Sequence, residues 1–166
     1  MGEATWLHGL APKLGWKPRN IDMDFSKLET KTGAEKGAKL HLRHPALGHL
    51  LYSGKGADEN GKLIDAAKDA QKVFLMVRGT ESPTVQKQAR DLQASILKNG
   101  DISDEEKEVG LAFASSLVIS MHGLEKGGKT MEATEENKRE FLLLSDGLVE
   151  QVVQFAQSRA NFFNPA

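Results

Sequence analysis

The sequence contains no cysteine, so disulfide bonds and zinc sites built on thiolates are excluded. It also has no excess of charge of either sign, with 22 basic and 23 acidic residues and a formal net charge of -1. This balance gives no electrostatic reason to expect DNA, RNA or an anionic membrane surface as the main partner. Long hydrophobic runs are lacking as well, because the most apolar stretch, residues 109–121, is shorter than the ~18 residues of a membrane span.

What the sequence does contain is typical of a globular protein. Its 166 residues are enough for one domain with a hydrophobic core, and 39 % hydrophobic and 27 % charged residues fit that class. The first residues lack the basic start and apolar run of a secretory signal peptide. We therefore expect a cytoplasmic protein.

The first half of the chain is predicted to be rich in β-structure. Polar and apolar residues alternate over residues 39–43, as in a half-buried strand, and Pro45 ends the pattern. Residues 48–52 are a candidate returning strand of a hairpin. The clearest strand is the short apolar run 72–78, which precedes a glycine. Residues 1–38 have little periodicity and predict an exposed N-terminal extension that could be mobile.

The second half is predicted to be helical. In the first of these helices, apolar residues recur at helical spacing at Val85, Ala89, Leu92 and Ile96. The apolar residues of the second helix predict that it continues through Met121 and stops near Gly123. Each of the four predicted helices begins at a residue suited to capping: Ser82, Ser103, Thr134 and Ser145.

These patterns together predict an α+β fold class. We expect a small N-terminal antiparallel β-sheet or hairpins, followed by a mainly α-helical C-terminal half of about four helices. The predicted organisation is an N-terminal extension over 1–38, a β-rich part over 39–80 and a helical part over 81–163. Residues 39–163 are expected to form one domain.

One stretch matches the GxxxxGK[ST] pattern of phosphate-binding loops, with Gly123, Gly128, Lys129 and Thr130 in the defining positions. Such a loop follows a parallel strand and opens a helix directly, but this stretch follows a segment predicted to be helical. A new capping signal appears four residues later, at Thr134. We favour a glycine-rich turn between helices, with a small nucleotide-hydrolysing enzyme as the less favoured alternative.

Two further patterns suggest metal ligands but fit poorly. The stretch around Asp58 resembles a calcium loop, yet glycine and alanine occupy its first and last ligand positions, so a polar hairpin loop is the better interpretation. His41, His44 and His49 are clustered, but their spacing on a strand does not make them converge. We expect no catalytic residue, no cofactor and no metal, and hence not an enzyme.

From Leu40 onward, the order of features resembles the tail assembly chaperones of long-tailed bacteriophages. The resemblance is carried by a His-Pro-Ala turn at 42–48, a Gly-Thr-acid-Ser stretch at 77–82 and a glycine turn at 122–128. It continues with a Thr-Glu-Glu-Asn-Lys-Arg stretch at 134–139 and a terminal Asn-Phe-Phe at 159–163. It covers roughly 125 of the 166 residues, and residues 1–38 have no counterpart in it.

The resemblance implies a non-enzymatic role in the host cytoplasm. Such chaperones bind the phage tape measure protein, keep it soluble, help recruit tail tube protein subunits and are absent from the mature virion. A homo-oligomer would suit this role, whereas nucleic acid and membrane are not expected as partners. A structural tail or neck subunit of the virion is the alternative.

Three residues near the end of the chain are the candidate partner-binding residues: Arg159, Phe162 and Phe163. The two adjacent phenylalanines have two interpretations. They could anchor a partner, or they could dock onto the core of their own domain, as large terminal aromatic residues usually do.

Overall fold

The computed structural model describes residues 23–99 and 105–163, and it confirms the predicted α+β fold class. Small antiparallel sheets lie mostly in the first half, and most helices lie in the second. The strands are β1 (Ala38–His41), β2 (Tyr52–Gly54), β3 (Ala70–Lys72), β4 (Phe74–Val77), β5 (Val118–His122), β6 (Glu125–Lys126) and β7 (Lys129–Thr130). The helices are α1 (Lys31–Lys36), α2 (Pro83–Asn99), α3 (Glu105–Leu117), α4 (Glu135–Leu143) and α5 (Asp146–Gln157). Two 3₁₀-helices, Phe25–Leu28 and Arg159–Phe162, lie near the ends of the described chain.

The main sheet has three antiparallel strands in the order β1-β4-β5, with β4 in the centre. Leu75 and Val77 of β4 are fully buried, whereas Phe74 and Met76, which alternate with them, are only partly buried. This alternation puts one face of the sheet against the helices and leaves the other largely open. On the open face, Phe74 stacks on His122 of the neighbouring strand with 4.5 Å between the ring centroids.

The prediction that the second helix of the helical half runs through Met121 is wrong. That helix, α3, ends at Leu117 and the chain continues directly into β5. The register with β4 shifts between Met76 and Val77, so that Val118 and Met121 both face the core. Because of this bulge, the core-facing residues of β5 are three positions apart, a spacing that is also typical of the buried face of a helix.

The chain also follows a different path from the one predicted in the first half. Arg43 and Leu50 are bridged as expected for a returning strand, but the chain then leaves the main sheet and β2 pairs with β3. The predicted strand 72–78 is divided between β3 and β4. Val73, which is buried, lies between these two strands. Its carbonyl accepts a hydrogen bond from the Leu42 amide, and its amide donates one to the Leu51 carbonyl.

The starts of the last two helices agree with the prediction. The Thr134 side chain accepts a hydrogen bond from the Asn137 amide at the start of α4, and the Ser145 side chain accepts one from Gly147 at the start of α5. The cap predicted at Ser103 lies outside the described residues. The buried core joins the sheet to α3, α4 and α5, and its fully buried members include Leu42, Leu75, Leu117, Leu142 and Val152.

Part of the stretch assigned to an N-terminal extension packs against the rest of the domain. Helix α1 buries Ala34, whose carbonyl accepts a hydrogen bond from the Gly79 amide at 3.0 Å. Residues 1–22 lie outside the described residues. None of the described helices is both long enough and apolar enough to cross a membrane.

Candidate protein-binding site

Two of the three predicted site residues, Arg159 and Phe162, belong to a contact region that we call the terminal joint. It consists of three segments: residues 30–37 with helix α1, the turn 79–84, and the 3₁₀-helix Arg159–Phe162. The turn is held from both sides by backbone hydrogen bonds of 3.0 Å, from the Gly79 amide to Ala34 and from the Thr80 amide to Ala156. Segments distant in sequence therefore meet at one turn.

Glu35 fastens α1 to the start of α2. Its carboxylate accepts hydrogen bonds from the hydroxyl groups of Ser82 and Thr84, and Arg78 Nε lies 3.8 Å away. These bonds hold the pKa of the Glu35 carboxyl below its usual value, with the Ser82 hydroxyl contributing most, because both hydroxyl groups stabilise the charged form. Ser82 is itself buried, and its oxygen also accepts a hydrogen bond from the Val85 amide at the start of α2.

Glu81 fastens the C-terminal 3₁₀-helix to the same turn. Its carboxylate accepts hydrogen bonds from the Thr30 hydroxyl group and from Arg159 Nε. The Thr30 hydrogen bond is the largest influence that holds the pKa of Glu81 below its usual value, followed by the bond from Arg159. Glu35 and Glu81 thus join three elements through charge-assisted hydrogen bonds.

The structure separates the three predicted site residues. Phe162 is 6 % exposed and docks on its own domain, with its ring edge-on to Phe155 at a centroid distance of 5.5 Å. Phe163 is 46 % exposed, and the Arg159 side chain is 73 % exposed although it is paired with Glu81. Phe162 therefore contributes to the core, whereas a partner-binding role for Phe163 and Arg159 stays a prediction.

Two glycines allow Phe162 to dock this closely. A Cβ atom at Gly33 would lie 2.0 Å from the Phe162 carbonyl oxygen. A Cβ atom at Gly79 would lie 2.9 Å from Ala34 Cβ and 3.0 Å from the Phe162 ring. The joint is filled by its own side chains, so it offers no room for a ligand.

A different region of the helical half is open. A groove of about 350 Å³, which we call the α2–α3 groove, lies between α2 and α3 and reaches the first residue of α4. The side chains that line it are Gln88, Asp91, Leu92, Ser95, Ala112, Ser116 and Glu135.

Helix α2 is poorly covered beside this groove. Of its residues whose burial the structure describes, only Val85 is buried. Ala89 and Leu92 of the predicted apolar face are half-buried, and Leu97 is 82 % exposed. Sequence reasoning predicted this helix but missed the groove, because its lining comes from three helices. The available signal was the narrow apolar face, with few positions able to reach a core.

The GxxxxGK[ST] match is a β-hairpin. Strands β6 and β7 pair antiparallel, and Gly127 and Gly128 form the turn with φ values of 60° and 80°. The stretch follows a strand, not the predicted helix, but that strand lies in an antiparallel sheet and residues 131–134 separate the hairpin from α4. The loop therefore lacks the direct entry into a helix by which such motifs bind phosphate.

The suspected metal ligands are engaged in local structure. One Asp58 carboxylate oxygen accepts hydrogen bonds of 2.9 Å from the amides of Asn60 and Lys62, which is a turn-stabilising arrangement. His44 Nδ1 accepts from two amides of its own turn, and His41 Nε2 lies 2.7 Å from the Leu51 carbonyl oxygen. Among the described residues, no three side chains of the metal-binding types are grouped.

Comparison with known proteins returned no match to a family model, a curated protein or a solved structure.

Proposed function

We propose that this protein is a bacteriophage tail assembly chaperone. In this role it binds the tape measure protein in the host cytoplasm, keeps it soluble and helps recruit tail tube subunits, and it does not remain in the mature virion. The proposal joins the sequence resemblance to one structural observation, the poorly covered helix α2 beside the α2–α3 groove.

That observation supports a binding role on physical grounds. An isolated helix of this length is marginal in water, and most helical stability in proteins comes from packing of an apolar face. Among the α2 residues whose burial the structure describes, only Val85 is buried, so this part of the helix makes little use of such packing. A partner helix laid beside it would remove apolar surface from water at about 25 cal/mol per Å², before the costs of ordering. A long helical client such as a tape measure protein offers many segments of this kind.

Two motifs of the resemblance contact each other in the folded chain. They are 77–82 and 159–163, which lie far apart in sequence but meet through the Arg159–Glu81 ion pair and the packing of Phe162 on Gly79. Residues that need one another in the fold are expected to occur together. This contact therefore supports treating these two short motifs as parts of one pattern.

Co-expression tests the proposal. The chain is produced together with the tape measure protein encoded in the same genome, and with an unrelated long helical protein as the control. We expect the tape measure protein to become soluble and to co-purify with the chain, while the control does not. A tape measure protein that stays insoluble without a co-purifying complex would contradict the proposal.

Mass spectrometry of purified virions separates the chaperone from a structural subunit of the tail or neck. A chaperone is expected in the infected-cell lysate but not in the particle. Detection at a stoichiometric level in washed particles would favour the structural role instead.

A further inference from the structure

The two parts of the chain carry opposite charge, although the whole chain is nearly neutral. Residues 39–80 contain seven basic and four acidic residues, whereas residues 81–163 contain nine basic and fourteen acidic residues. The helical part is therefore the acidic part. A surface on it attracts a basic partner at long range and repels an acidic one.

The α2–α3 groove has the same sign as the helical part. Both charged residues in its lining, Asp91 and Glu135, are acidic. Glu135 is already engaged, because its carboxylate accepts hydrogen bonds from Ser115 Oγ at 3.1 Å and from Lys138 Nζ at 3.2 Å. Asp91 is exposed and has no ion-pair partner among the described side chains. Asp91 is thus the carboxylate of the groove that is available to a lysine or arginine of a partner.

The rest of the lining is suited to a helix. Leu92 and Ala112 supply the apolar part, and Ser95 and Ser116 are small side chains that permit close approach. Two neighbouring helices with a groove between them present the geometry in which a further helix packs by ridges into grooves.

We propose that the α2–α3 groove binds one amphipathic helix of a partner protein, with small apolar residues against Leu92 and Ala112 and a lysine or arginine beside Asp91. This inference rests on the proposed function, because it identifies the surface of the chaperone that holds its client. The client segment is then a helix whose groove-facing side is apolar and basic.

Substitutions in the full-length chain test the site. Ser95→Trp fills the groove, and its matched control is Gln93→Trp, at an exposed position of the same helix outside the lining. Asp91→Lys reverses the charge in the groove, and Glu150→Lys makes the same change at an exposed position of α5. All four positions are exposed, so each variant is expected to fold, which circular dichroism and size-exclusion chromatography check.

The probe is the tape measure fragment that limited proteolysis recovers from the co-expressed complex, and its affinity is measured by isothermal titration calorimetry. We expect Ser95→Trp and Asp91→Lys to weaken binding by about tenfold or more, whereas the two controls stay within about twofold of the original chain. We also expect the recovered fragment to contain an amphipathic helix with lysine or arginine at the edge of its apolar face.

Three results would overturn the inference. If the complex forms and all four variants bind alike, the client uses another surface and the proposed function stands. An acidic helix in the protected fragment would contradict the role of Asp91. A dimer of the free chain that Ser95→Trp disrupts would make a second copy the occupant. Absence of any complex with the original chain would instead remove the proposed function itself.

Discussion

The two ends of helix α2 lie in different surroundings. Its first turn lies in the terminal joint, where Ser82 and Val85 are buried and Glu35 bonds Ser82 and Thr84. Its last turns project beside the α2–α3 groove, where Leu97 is 82 % exposed. One helix is thus anchored at one end and accessible at the other.

In the terminal joint the packing is completed by the chain itself, whereas beside the groove it is not. The joint is closed by contacts that tolerate no added methyl group at Gly33 or Gly79, so its occupants are fixed. The groove has room and few buried contacts, and we propose that a helix of another protein occupies it. Regions of low packing are where binding surfaces are usually found.

Removal of the Phe162 ring from the terminal joint should reduce the stability of the fold more than any other change considered. Phe162→Ala removes a buried aromatic ring and should lower the free energy of unfolding by about 3–5 kcal/mol. The matched change Phe163→Ala removes a ring that is 46 % exposed and should cost less than about 1 kcal/mol. Urea unfolding followed by circular dichroism measures both. Equal losses for the two variants would mean that the terminal phenylalanines are not divided between core and surface.

Substitutions along α2 compare its two ends directly. Val85→Ala removes methyl groups from a site that is 1 % exposed and should cost about 2 kcal/mol. Leu97→Ala, at the accessible end, should change the free energy of unfolding by no more than about 0.5 kcal/mol. Urea unfolding again supplies the measurement. A large loss at Leu97 would show that the accessible end is packed in solution.

Replacement of a glycine of the joint by alanine should change the free energy of unfolding by a smaller amount, and in the direction opposite to the usual one for a helix. Alanine normally stabilises a helix by about 1 kcal/mol relative to glycine, and Gly110→Ala in α3 should do so because nothing lies within 4 Å of the added Cβ. Gly33→Ala in α1 should instead cost about 1–2 kcal/mol, since its Cβ would meet the Phe162 carbonyl oxygen. Thermal unfolding of the two variants tests this reversal, and stabilisation by both would contradict the close approach.

The smallest expected effect depends on pH. The pKa of Glu35 is lowered in the folded protein, chiefly by the Ser82 hydroxyl group. A carboxyl of this kind stabilises the fold above its unfolded pKa, and that stabilisation is lost as pH falls through the folded value. We expect the urea midpoint to fall as the pH is lowered below about 5, where a glutamate of ordinary pKa begins to protonate, and to fall less steeply in Glu35→Gln. Glu150→Gln, at an exposed position of α5, should behave like the original chain.

The features that the sequence predicts well are local. The starts of α2, α4 and α5 follow from Ser82, Thr134 and Ser145, because a cap depends on residues within one turn. Strand β5 was missed because the bulge gave Val118 and Met121 a spacing that also suits a helix.

Local sequence patterns do not predict features that depend on contacts between residues far apart in the sequence. By local pattern alone, Gly33 and Gly37 indicate an exposed segment. In the structure, Phe162 from the other end of the chain lies against Gly33 and leaves no room for a larger side chain there. The only local signature of the α2–α3 groove is the narrow apolar face of α2, since Asp91, Ala112 and Glu135 converge only in three dimensions. The aromatic terminus stands out by composition, so sequence patterns indicate it, and not the groove, as the partner-binding region.

The terminal joint also has a consequence for the order in which the protein folds. Its hydrogen bonds link Glu35 to Ser82 across 47 residues and Arg159 to Glu81 across 78 residues. Closing loops of this length costs chain entropy before any contact is gained, so local helices and hairpins form first. We expect the joint to be absent from the folding transition state. Its contacts would then govern how slowly the native protein unfolds, while leaving the rate of folding almost unchanged.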